Sequence, residues 1–321
     1  MPLNTPPYVL ENTSVQRTML WVLLALVPGI AVHVFWFGPA LLIQLGIASG
    51  TALIAEAAML RLRGKPLAPF LSDLSVLVTA WLIALTFPSI APAWLTILGT
   101  LFAVVIAKHL YGGLGQNPFN PAMIAFAVCI ISFPALMSQW PSLDAVSSAT
   151  PLDTLKTGLK LAGEHGDVLQ VFAAHPGTFG HMAGRGLEWV ALAYLLGGLC
   201  LIHKKIISWH IPSAFLVSLT LLSAALWVWQ PTHYASPLFH LFAGGSLLGA
   251  FFIATDPVSG ATTPRGKLVF GAGAGVLVYV IRVFGGYPDG VAFAILLMNI
   301  AAPLIDHLTQ PPIFGKKSGH A

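Results

Sequence analysis

One threonine lies in a setting that suits chemical modification. Thr150 closes the run Asp-Ala-Val-Ser-Ser-Ala-Thr at 144–150 and is followed by Pro-Leu-Asp at 151–153. Small neighbours leave room for a modifying enzyme to approach the hydroxyl, and the run belongs to the long polar segment 139–186 of an otherwise apolar sequence. Thr150 is therefore a candidate attachment point for a cofactor.

Carboxylates in or beside apolar segments form a second group of candidates, because ionisable groups are costly in a membrane and most often serve a function there. They are Glu56, Asp73, Glu188, Asp256, Asp289 and Asp306. Simple structural roles compete with a place in an ion path. Glu188 begins a helix, where a carboxylate favours the helix dipole, and Asp73 and Asp256 precede helical runs that they can cap. Glu56 is placed near the membrane interface.

The elements that position these residues are membrane-spanning helices. Hydrophobic residues make up 56% of the chain and charged residues only 8%, whereas a soluble domain carries about 25% charged residues. A spanning helix needs about 20 mostly apolar residues. Segments that qualify are 19–37, 39–59, 71–88, 91–107, 121–138, 187–202, 211–229, 238–254, 268–284 and 288–307. The sequence predicts an all-α polytopic membrane protein of about ten helices, with halves 1–138 and 187–321 joined by loop 139–186.

The distribution of Lys and Arg orients these helices. With the N-terminus in the cytoplasm, eleven of the 15 basic residues lie on the cytoplasmic side and four lie outside. Those four are Lys156, Lys160, Arg185 and Arg282. Both termini are therefore predicted in the cytoplasm, and the loop that carries Thr150 is predicted on the opposite side.

A short internal similarity predicts an inverted repeat. Lys-His-Leu-Tyr-Gly-Gly at 108–113 follows the fourth span, and Ile-Arg-Val-Phe-Gly-Gly at 281–286 follows the ninth. Turns five spans apart face opposite sides of the membrane, as inverted repeats with broken helices require. Asn117 and Asn120, each followed by proline, interrupt the apolar pattern after the first turn. Because irregular backbone at membrane depth must be satisfied by protein or water, this turn either lines a site or lies above the interface.

Several classes of site are excluded. The basic residues are scattered, without the patch of a nucleic-acid interface. Cys129 and Cys200 fall in apolar stretches without metal-ligand spacing, and an iron–sulfur cluster needs about four ligands. The glycines at 271–275 lie in a span without a preceding strand, so they form no dinucleotide fingerprint. We predict no metal site, no catalytic side chain, and no NAD or ferredoxin site.

Four stretches, in order along nearly the whole chain, resemble the D subunit of the Rnf electron-transport complex. They are 108–123 (KHLYGGLGQNPFNPAM), 148–156 (SATPLDTLK), 251–259 (FFIATDPVS) and 284–294 (FGGYPDGVAFA). The B subunit of the sodium-translocating NADH:quinone oxidoreductase is similar too, but it typically has a longer N-terminal extension. The Rnf subunit is the closer match.

The resemblance implies a flavoprotein subunit of an ion-translocating ferredoxin:NAD oxidoreductase, in the bacterial cytoplasmic (inner) membrane, with the loop in the periplasm. FMN would be joined through its phosphate to Thr150, which leaves the isoalloxazine ring free to carry electrons. A second, non-covalent flavin such as riboflavin is also implied. Expected partners are the other membrane subunits, the iron–sulfur subunits, a second covalent-FMN subunit, a flavin transferase and the lipid bilayer.

The resemblance also sorts the candidate residues. The surroundings of the flavin on Thr150 are expected to be Asp144, Ser147, Ser148, Ala149, Pro151, Leu152 and Asp153. Candidates for an ion path or for the second flavin are Asp73, Asn117, Asn120, Asp256 and Asp289.

Thr262 is a rival attachment point. The flavin-transfer pattern of such families resembles Asp-x-x-Ser/Thr-Gly-Ala-Thr, which 256–262 (DPVSGAT) fits literally, whereas Ser148 stands at the glycine position before Thr150. Glycine reaches φ > 0 without steric cost and serine does not, so the loop is expected to take a different turn or to be modified less efficiently. Topology favours Thr150, because Thr262 lies beside two basic residues in a turn predicted to be cytoplasmic.

Two other functions stay open on the residues alone. A solute channel or secondary transporter also fits ten helices in two inverted halves with broken segments, and a structural membrane anchor for redox subunits needs no cofactor. Neither requires a flavin-accepting threonine. Covalently bound flavin therefore discriminates between an electron carrier and both alternatives.

Overall fold

The computed structural model describes residues 14–143, 147–163 and 166–310. Every regular element in these ranges is a helix, apart from two isolated β-bridges. Lipid offers no partner to backbone N–H and C=O groups, so a segment that crosses it must bond them internally, as a helix does. The predicted all-α class is confirmed.

Helices of the N-terminal half follow closely on one another. They are α1 (Val15–Phe37), α2 (Ala40–Leu62), α3 (Leu67–Leu71), α4 (Ser75–Thr86), α5 (Ala93–Leu101), α6 (Pro121–Ser132) and α7 (Pro134–Met137). The first π-helical segment, Phe102–His109, extends α5 without a break.

The loop and the C-terminal half supply the remaining helices. They are α8 (Pro151–Ala162), α9 (Val168–Ala174), α10 (Leu187–His203), α11 (His210–Trp229), α12 (Pro237–Phe242), α13 (Ser246–Leu248), α14 (Pro264–Phe284) and α15 (Val291–Thr309). The second π-helical segment, Gly249–Ile253, extends α13. Trp209 and Trp229 mark the two ends of α11, as aromatic side chains do at the two membrane interfaces.

Most of the predicted spans appear as apolar helices. Six in the described ranges are long enough to cross a membrane: Val15–Phe37, Ala40–Leu62, Leu67–Thr86, His210–Trp229, Pro264–Phe284 and Val291–Thr309. Three shorter apolar helices are Ala93–His109, Pro121–Ser132 and Leu187–His203. The predicted span 238–254 is instead divided into α12, α13 and the second π-helical segment. The chain is a polytopic membrane protein.

The two halves repeat one order of packing. Helix α1 packs on α4, as α10 packs on α13. Helix α2 packs on α3, α4 and α5, as α11 packs on α12, on the second π-helical segment and on α14. The first π-helical segment packs on α6, as α14 packs on α15. Contacts of α1 with α10 and of α6 with α15 join the halves. This order agrees with the internal repeat that the two glycine turns predict.

Each half also contains a broken helix. The break between α3 and α4 includes Leu74 with φ of 63°, and the break between α12 and α13 includes Gly244 with φ of 61°. A carboxylate supports each break, because Asp73 accepts the N–H of Ser75 at 2.7 Å and Asp289 accepts the N–H of Gly245 at 2.7 Å. The capping role predicted for Asp73 is therefore confirmed.

The loop 139–186 contains two helices, although its sequence pattern predicts only a polar connection. Leu152 and Leu155 of α8 are buried against α9 and against Phe239 of α12, in a small apolar core of their own. Thr150, followed by Pro151 and then by Asp153 in the first turn, is a start signal that is typical of a helix. The loop packs against the C-terminal half.

Candidate functional site

Thr150 lies at the N-terminus of α8 and is half-buried. Its Oγ1 accepts a hydrogen bond from the backbone N–H of Asp153 at 3.2 Å, so the hydroxyl caps the helix. Pro151 occupies the first helical position, where the missing N–H costs nothing. A helix N-terminus combines free N–H groups with a partial positive charge, and this setting favours a phosphate.

The residues before Thr150 form a short extended pair. Trp140 and Ser148 exchange backbone hydrogen bonds at 3.1 and 2.8 Å. Among the described residues the left-handed non-glycine positions do not include Ser148, so serine fits here without strain. Ser147 and Ala149 are exposed, and Asp144 lies outside the described residues.

A cavity of about 160 Å³, which we call the Thr150 cavity, is bordered by Thr150 and by 151–153. Both halves contribute polar groups to it: His33 from α1, Tyr194 from α10, and Asp289 from the turn before α15. The rest of its wall is mainly apolar. The structure thus brings the predicted residues Thr150, 151–153 and Asp289 together.

Lys156 ties α8 to the end of α14. Its Nζ donates to the backbone carbonyl oxygens of Arg282, Gly285 and Tyr287 at 3.0, 2.6 and 2.9 Å, and lies 3.4 Å from that of Ile281. These carbonyls belong to a helix C-terminus and the turn after it, where a cation is favoured. Burial lowers the pKa of Lys156. The loop helix is thereby fastened to the C-terminal half.

Asp289 organises the broken segment on the same side. Its Oδ2 accepts the N–H of Gly245, and its Oδ1 accepts the N–H of Val291 at 3.2 Å and an Arg282 N–H at 3.0 Å. Arg282 also donates to the backbone carbonyl of His240 at 2.7 Å. Asp289 therefore has a structural role, in addition to its place in the wall of the Thr150 cavity.

A second cavity, of about 490 Å³, is lined by three of the other predicted residues, and we call it the larger cavity. Asn117, Asn120 and Asp256 line it. Asp73 is not in its wall, but the residue that it caps, Ser75, is. The predicted residues that line a cavity therefore fall into two groups around two cavities rather than into one site.

Buried charged residues lie in the wall of the larger cavity and next to it. Lys108 lines it and donates to Glu56 Oε1 at 2.9 Å and to Ser75 Oγ at 3.2 Å. His109 Nε2 lies 2.9 Å from Glu56 Oε2, and His109 Nδ1 lies 3.3 Å from an Arg63 nitrogen. Glu56 is 1% and Lys108 2% exposed. A buried charge requires partners, and these residues supply them.

One layer of side chains separates the two cavities. Asn120 lines the larger cavity and donates to the carbonyl of Ile253, which lines the Thr150 cavity, at 3.3 Å. Asn299 accepts the N–H of Asn120 at 3.1 Å. Tyr194 of the Thr150 cavity meets Phe252 of the larger cavity edge to face, with ring centroids 6.0 Å apart.

Thr262, the rival threonine, lies in the wall of the larger cavity and is engaged with a carboxylate. Its N–H and its Oγ1 both donate to Asp306, at 2.9 and 2.7 Å, and Thr263 N–H adds a third contact at 3.3 Å. Thr263, not Thr262, caps the following helix α14. Thr262 therefore lacks the helix N-terminal position that Thr150 holds.

Asp256 begins the turn that leads to Thr262. Its carboxylate accepts the Ser259 hydroxyl at 2.7 Å and the Val258 N–H at 3.4 Å. Burial raises the pKa of Asp256, and the Ser259 hydroxyl opposes that rise. The residue supports a turn rather than the start of a helix. Among the described residues no group of three or more His, Cys, Asp or Glu could hold a metal ion.

Comparison with known proteins decides the family. The model of the NQR2, RnfD, RnfE family matches residues 3–315. The chain belongs to this family. It is 48% identical to the D subunit of the ion-translocating oxidoreductase complex of Yersinia pseudotuberculosis serotype O:1b (strain IP 31758), with 100% of both chains covered. It is 47% identical to the D subunit of the complex of the same name from Escherichia fergusonii, with 99% of each chain covered. The resemblance to the Rnf D subunit is confirmed.

Most residues of the Thr150 cavity were not predicted as site residues, and the polar residues His33 and Tyr194 are among them. A histidine within the apolar span 19–37 is the signal that could have drawn attention to the first. Tyr194 carries no such signal, because an aromatic residue in an apolar helix is most often part of the core.

Proposed function

We propose that the chain is the membrane flavoprotein subunit of an Rnf-type complex and that it carries electrons on FMN esterified to Thr150. The observation that carries the proposal is the position of Thr150, which caps α8 and lines a cavity between the two halves. A phosphoester formed there places the phosphate at a helix N-terminus, which favours its negative charge. The ring can then extend from the loop toward the cavity.

The hydrogen bonds of the two threonine hydroxyls favour Thr150. Esterification of Thr262 would put a phosphate anion against Asp306, whose carboxylate now accepts the Thr262 hydroxyl at 2.7 Å. Like charges at such a distance repel. At Thr150 the hydroxyl accepts one backbone hydrogen bond, and its own proton has no acceptor among the described residues. Replacing the hydroxyl proton of Thr150 with phosphorus would therefore break no donated hydrogen bond, whereas at Thr262 it would break the one to Asp306.

The larger cavity suits a second, non-covalent flavin. Its volume of about 490 Å³ lies within the roughly 300–1,000 Å³ of pockets that enclose a small molecule, and its wall is mainly apolar with a few polar groups. A flavin there would be separated from one at Thr150 by the layer that contains Tyr194 and Phe252. This arrangement supports electron transfer from one cavity to the other.

We extend the proposal to the complex that the relatives' names describe. The chain would work beside other membrane subunits, iron–sulfur subunits and a second FMN-bearing subunit that link ferredoxin with NAD. It would lie in the bacterial inner membrane with its termini in the cytoplasm and Thr150 in the periplasm, where a flavin transferase would act. Moving one charge against 100 mV costs about 2.3 kcal/mol, which electron transfer must supply.

The test is direct. The protein is expressed with its flavin transferase, resolved by denaturing electrophoresis and viewed for flavin fluorescence, and its peptides are analysed by mass spectrometry. FMN mass on the Thr150 peptide supports the proposal. A flavin-free protein, or FMN on the Thr262 peptide, contradicts it.

One observation favours a second function, that of a transporter. Two cavities separated by a thin layer that includes the Asn120–Asn299 contact also suit alternating access around a central barrier. Such a protein needs no covalent flavin. The fluorescence measurement therefore separates the two functions.

A further inference from the structure

The chain that follows Thr150 is helical and tightly packed. Pro151 and Leu152, the next two residues, are buried, and so is Leu155 one turn further along α8. Pro151 lies so close to Gly184 that a Cβ on this glycine would overlap the proline ring. Thr150 itself is half-buried. The acceptor hydroxyl is thus joined directly to a segment that other parts of the protein cover.

This packing matters to an enzyme that modifies Thr150. Phosphoryl-type transfer needs the attacking and leaving oxygens roughly in line with the phosphorus, so the transferase must surround Thr150 Oγ1 with its own groups and with the flavin donor. To do so it has to hold the chain on both sides of the threonine. Because 151 and 152 are covered while α8 is docked, the transferase needs a form in which α8 has left its place. Folded proteins reach such forms by local opening.

Two kinds of contact keep α8 docked. Four backbone carbonyl oxygens at the end of α14 and in the turn after it lie 2.6–3.4 Å from Lys156 Nζ. Leu152 and Leu155 add an apolar contact, in the small core that includes Phe239. Hydrogen bonds from a charged donor are about twice as strong as neutral ones. Loss of the Lys156 ammonium group therefore favours the undocked form of α8.

We propose that Lys156 controls access to Thr150: the transferase modifies the hydroxyl while α8 is undocked, and the ammonium group then fastens the modified loop to the C-terminal half. The inference rests on the proposed attachment at Thr150. In the modification, Thr150 Oγ1 forms a bond to the FMN phosphorus of flavin adenine dinucleotide, and the phosphoanhydride bond breaks. AMP leaves with the electron pair of that bond. The hydroxyl proton passes to a base of the transferase, and the flavin keeps its oxidation state.

The product is better suited to the docked form than the substrate is. The ester oxygen keeps a lone pair for the Asp153 N–H, which Thr150 Oγ1 accepts at 3.2 Å in the unmodified chain. The phosphate adds negative charge at the N-terminus of α8, where free N–H groups and the helix dipole favour it. Modification therefore stabilises α8 and its docking. An unmodified loop that docks first is a poor substrate.

The experiment compares rates of flavin attachment to the full-length chain. Wild type, Lys156→Met, Leu155→Ala and Lys160→Met are produced in cells without the transferase and purified in detergent. Each is mixed with purified transferase and flavin adenine dinucleotide, and in-gel flavin fluorescence is followed with time. Lys160 is the matched control, because it lies on α8 but is exposed.

We expect Lys156→Met to be modified about tenfold faster than wild type or more, since it loses a set of charge-assisted hydrogen bonds. Leu155→Ala should also be modified faster, because it weakens the apolar contact. Lys160→Met should be modified at the wild-type rate. All four proteins should reach the same final fluorescence, because the reaction at Thr150 is the same in each and only access to it differs.

Two outcomes overturn the inference. Equal rates in wild type, Lys156→Met and Leu155→Ala would show that docked α8 is no obstacle to the transferase. Equal acceleration in Lys156→Met and Lys160→Met would assign the effect to the charge of the loop and not to the contact with α14. If Lys156→Met does not fold, the Leu155→Ala rate decides. Absence of flavin from the Thr150 peptide in every protein, and in wild type expressed together with the transferase, would instead refute the proposed function, so the two failures are distinguishable.

Discussion

Replacing Thr150 with valine changes one atom group and tests two consequences of its position. Valine keeps the branched shape but removes the oxygen that accepts the Asp153 N–H at 3.2 Å. Loss of a helix N-cap costs about 1 kcal/mol, within a range of roughly 0.5–2 kcal/mol. Folded domains have about 5–15 kcal/mol of stability, so the variant should insert and fold. It should nevertheless lose all covalent flavin, because no oxygen remains for the ester.

Both consequences can be measured on the same sample. In-gel fluorescence reports attachment, and a thermal unfolding curve in detergent reports the loss of the cap. Thr150→Ser keeps both an acceptor for Asp153 and a nucleophilic oxygen, so it should retain flavin and most of the stability. Thr262→Val removes only the hydroxyl bond to Asp306 and should remain fully fluorescent.

Fluorescence that persists in Thr150→Val would refute the reasoning from the helix N-terminus. So would fluorescence that disappears in Thr262→Val while Thr150→Val remains bright. A large drop in the unfolding temperature of Thr150→Val, well beyond the loss of one cap, would mean that Thr150 has further structural contacts.

Three further predictions concern stability, measured as detergent unfolding temperatures. Gly29→Ala should destabilise the protein by about 1–3 kcal/mol or more, because a Cβ there would overlap the ring of Tyr194. Glu56→Gln should cost about 3–5 kcal/mol, since it leaves the buried Lys108 ammonium without its counter-charge. Burial raises the pKa of Asp256 in the folded state. The contribution of this group to stability should therefore be greatest below the pKa of the unfolded state, about 3.9, and should be lost as pH rises through the raised pKa of the folded state. Asp256→Asn should lack this loss.

Each of these three stability predictions has its own control. Gly50 has open space at its Cβ position, so Gly50→Ala should be close to neutral, and an equal loss in both variants would contradict the packing argument. Combining Glu56→Gln with Lys108→Met should recover part of the lost stability, since both charges are then gone; purely additive losses would count against the ion pair. Identical pH profiles for wild type and Asp256→Asn would show that the carboxyl is not desolvated.

The apolar pattern predicted most of the helices because the length of a spanning segment is dictated by the membrane. It could not predict the division of 238–254, because that depends on a left-handed Gly244 and on Asp289, 44 residues beyond Gly245, which accepts the Gly245 N–H. Helix α8 was missed for a different reason. Its start signal is present in the sequence, but the polar composition of the loop conceals the short apolar face formed by Leu152 and Leu155.

The candidate site residues also divide into those that local sequence predicts and those that depend on tertiary packing. Thr150 and its surroundings were predicted from a local pattern, and the residues that follow it, 151–153, line one cavity with it. Ser147, Ser148 and Ala149 do not line that cavity. Asn120 and Asp256 were grouped with Asp289, yet they line the other cavity. Local sequence does not say which side of a packed layer a residue will face. The pairing of Glu56 with Lys108, 52 residues apart, depends on how α2 meets the first π-helical segment.

The Lys156 ammonium group has a mechanical consequence. It binds the end of α14, and Leu152 and Leu155 pack against α12. Helix α8, with Thr150 at its N-terminus, is therefore attached to the C-terminal half and would move with it. Asp289 moves with it, whereas His33 belongs to the first half. Any rocking of one half against the other would therefore alter the distance from Thr150 to His33 and leave that to Asp289 almost constant.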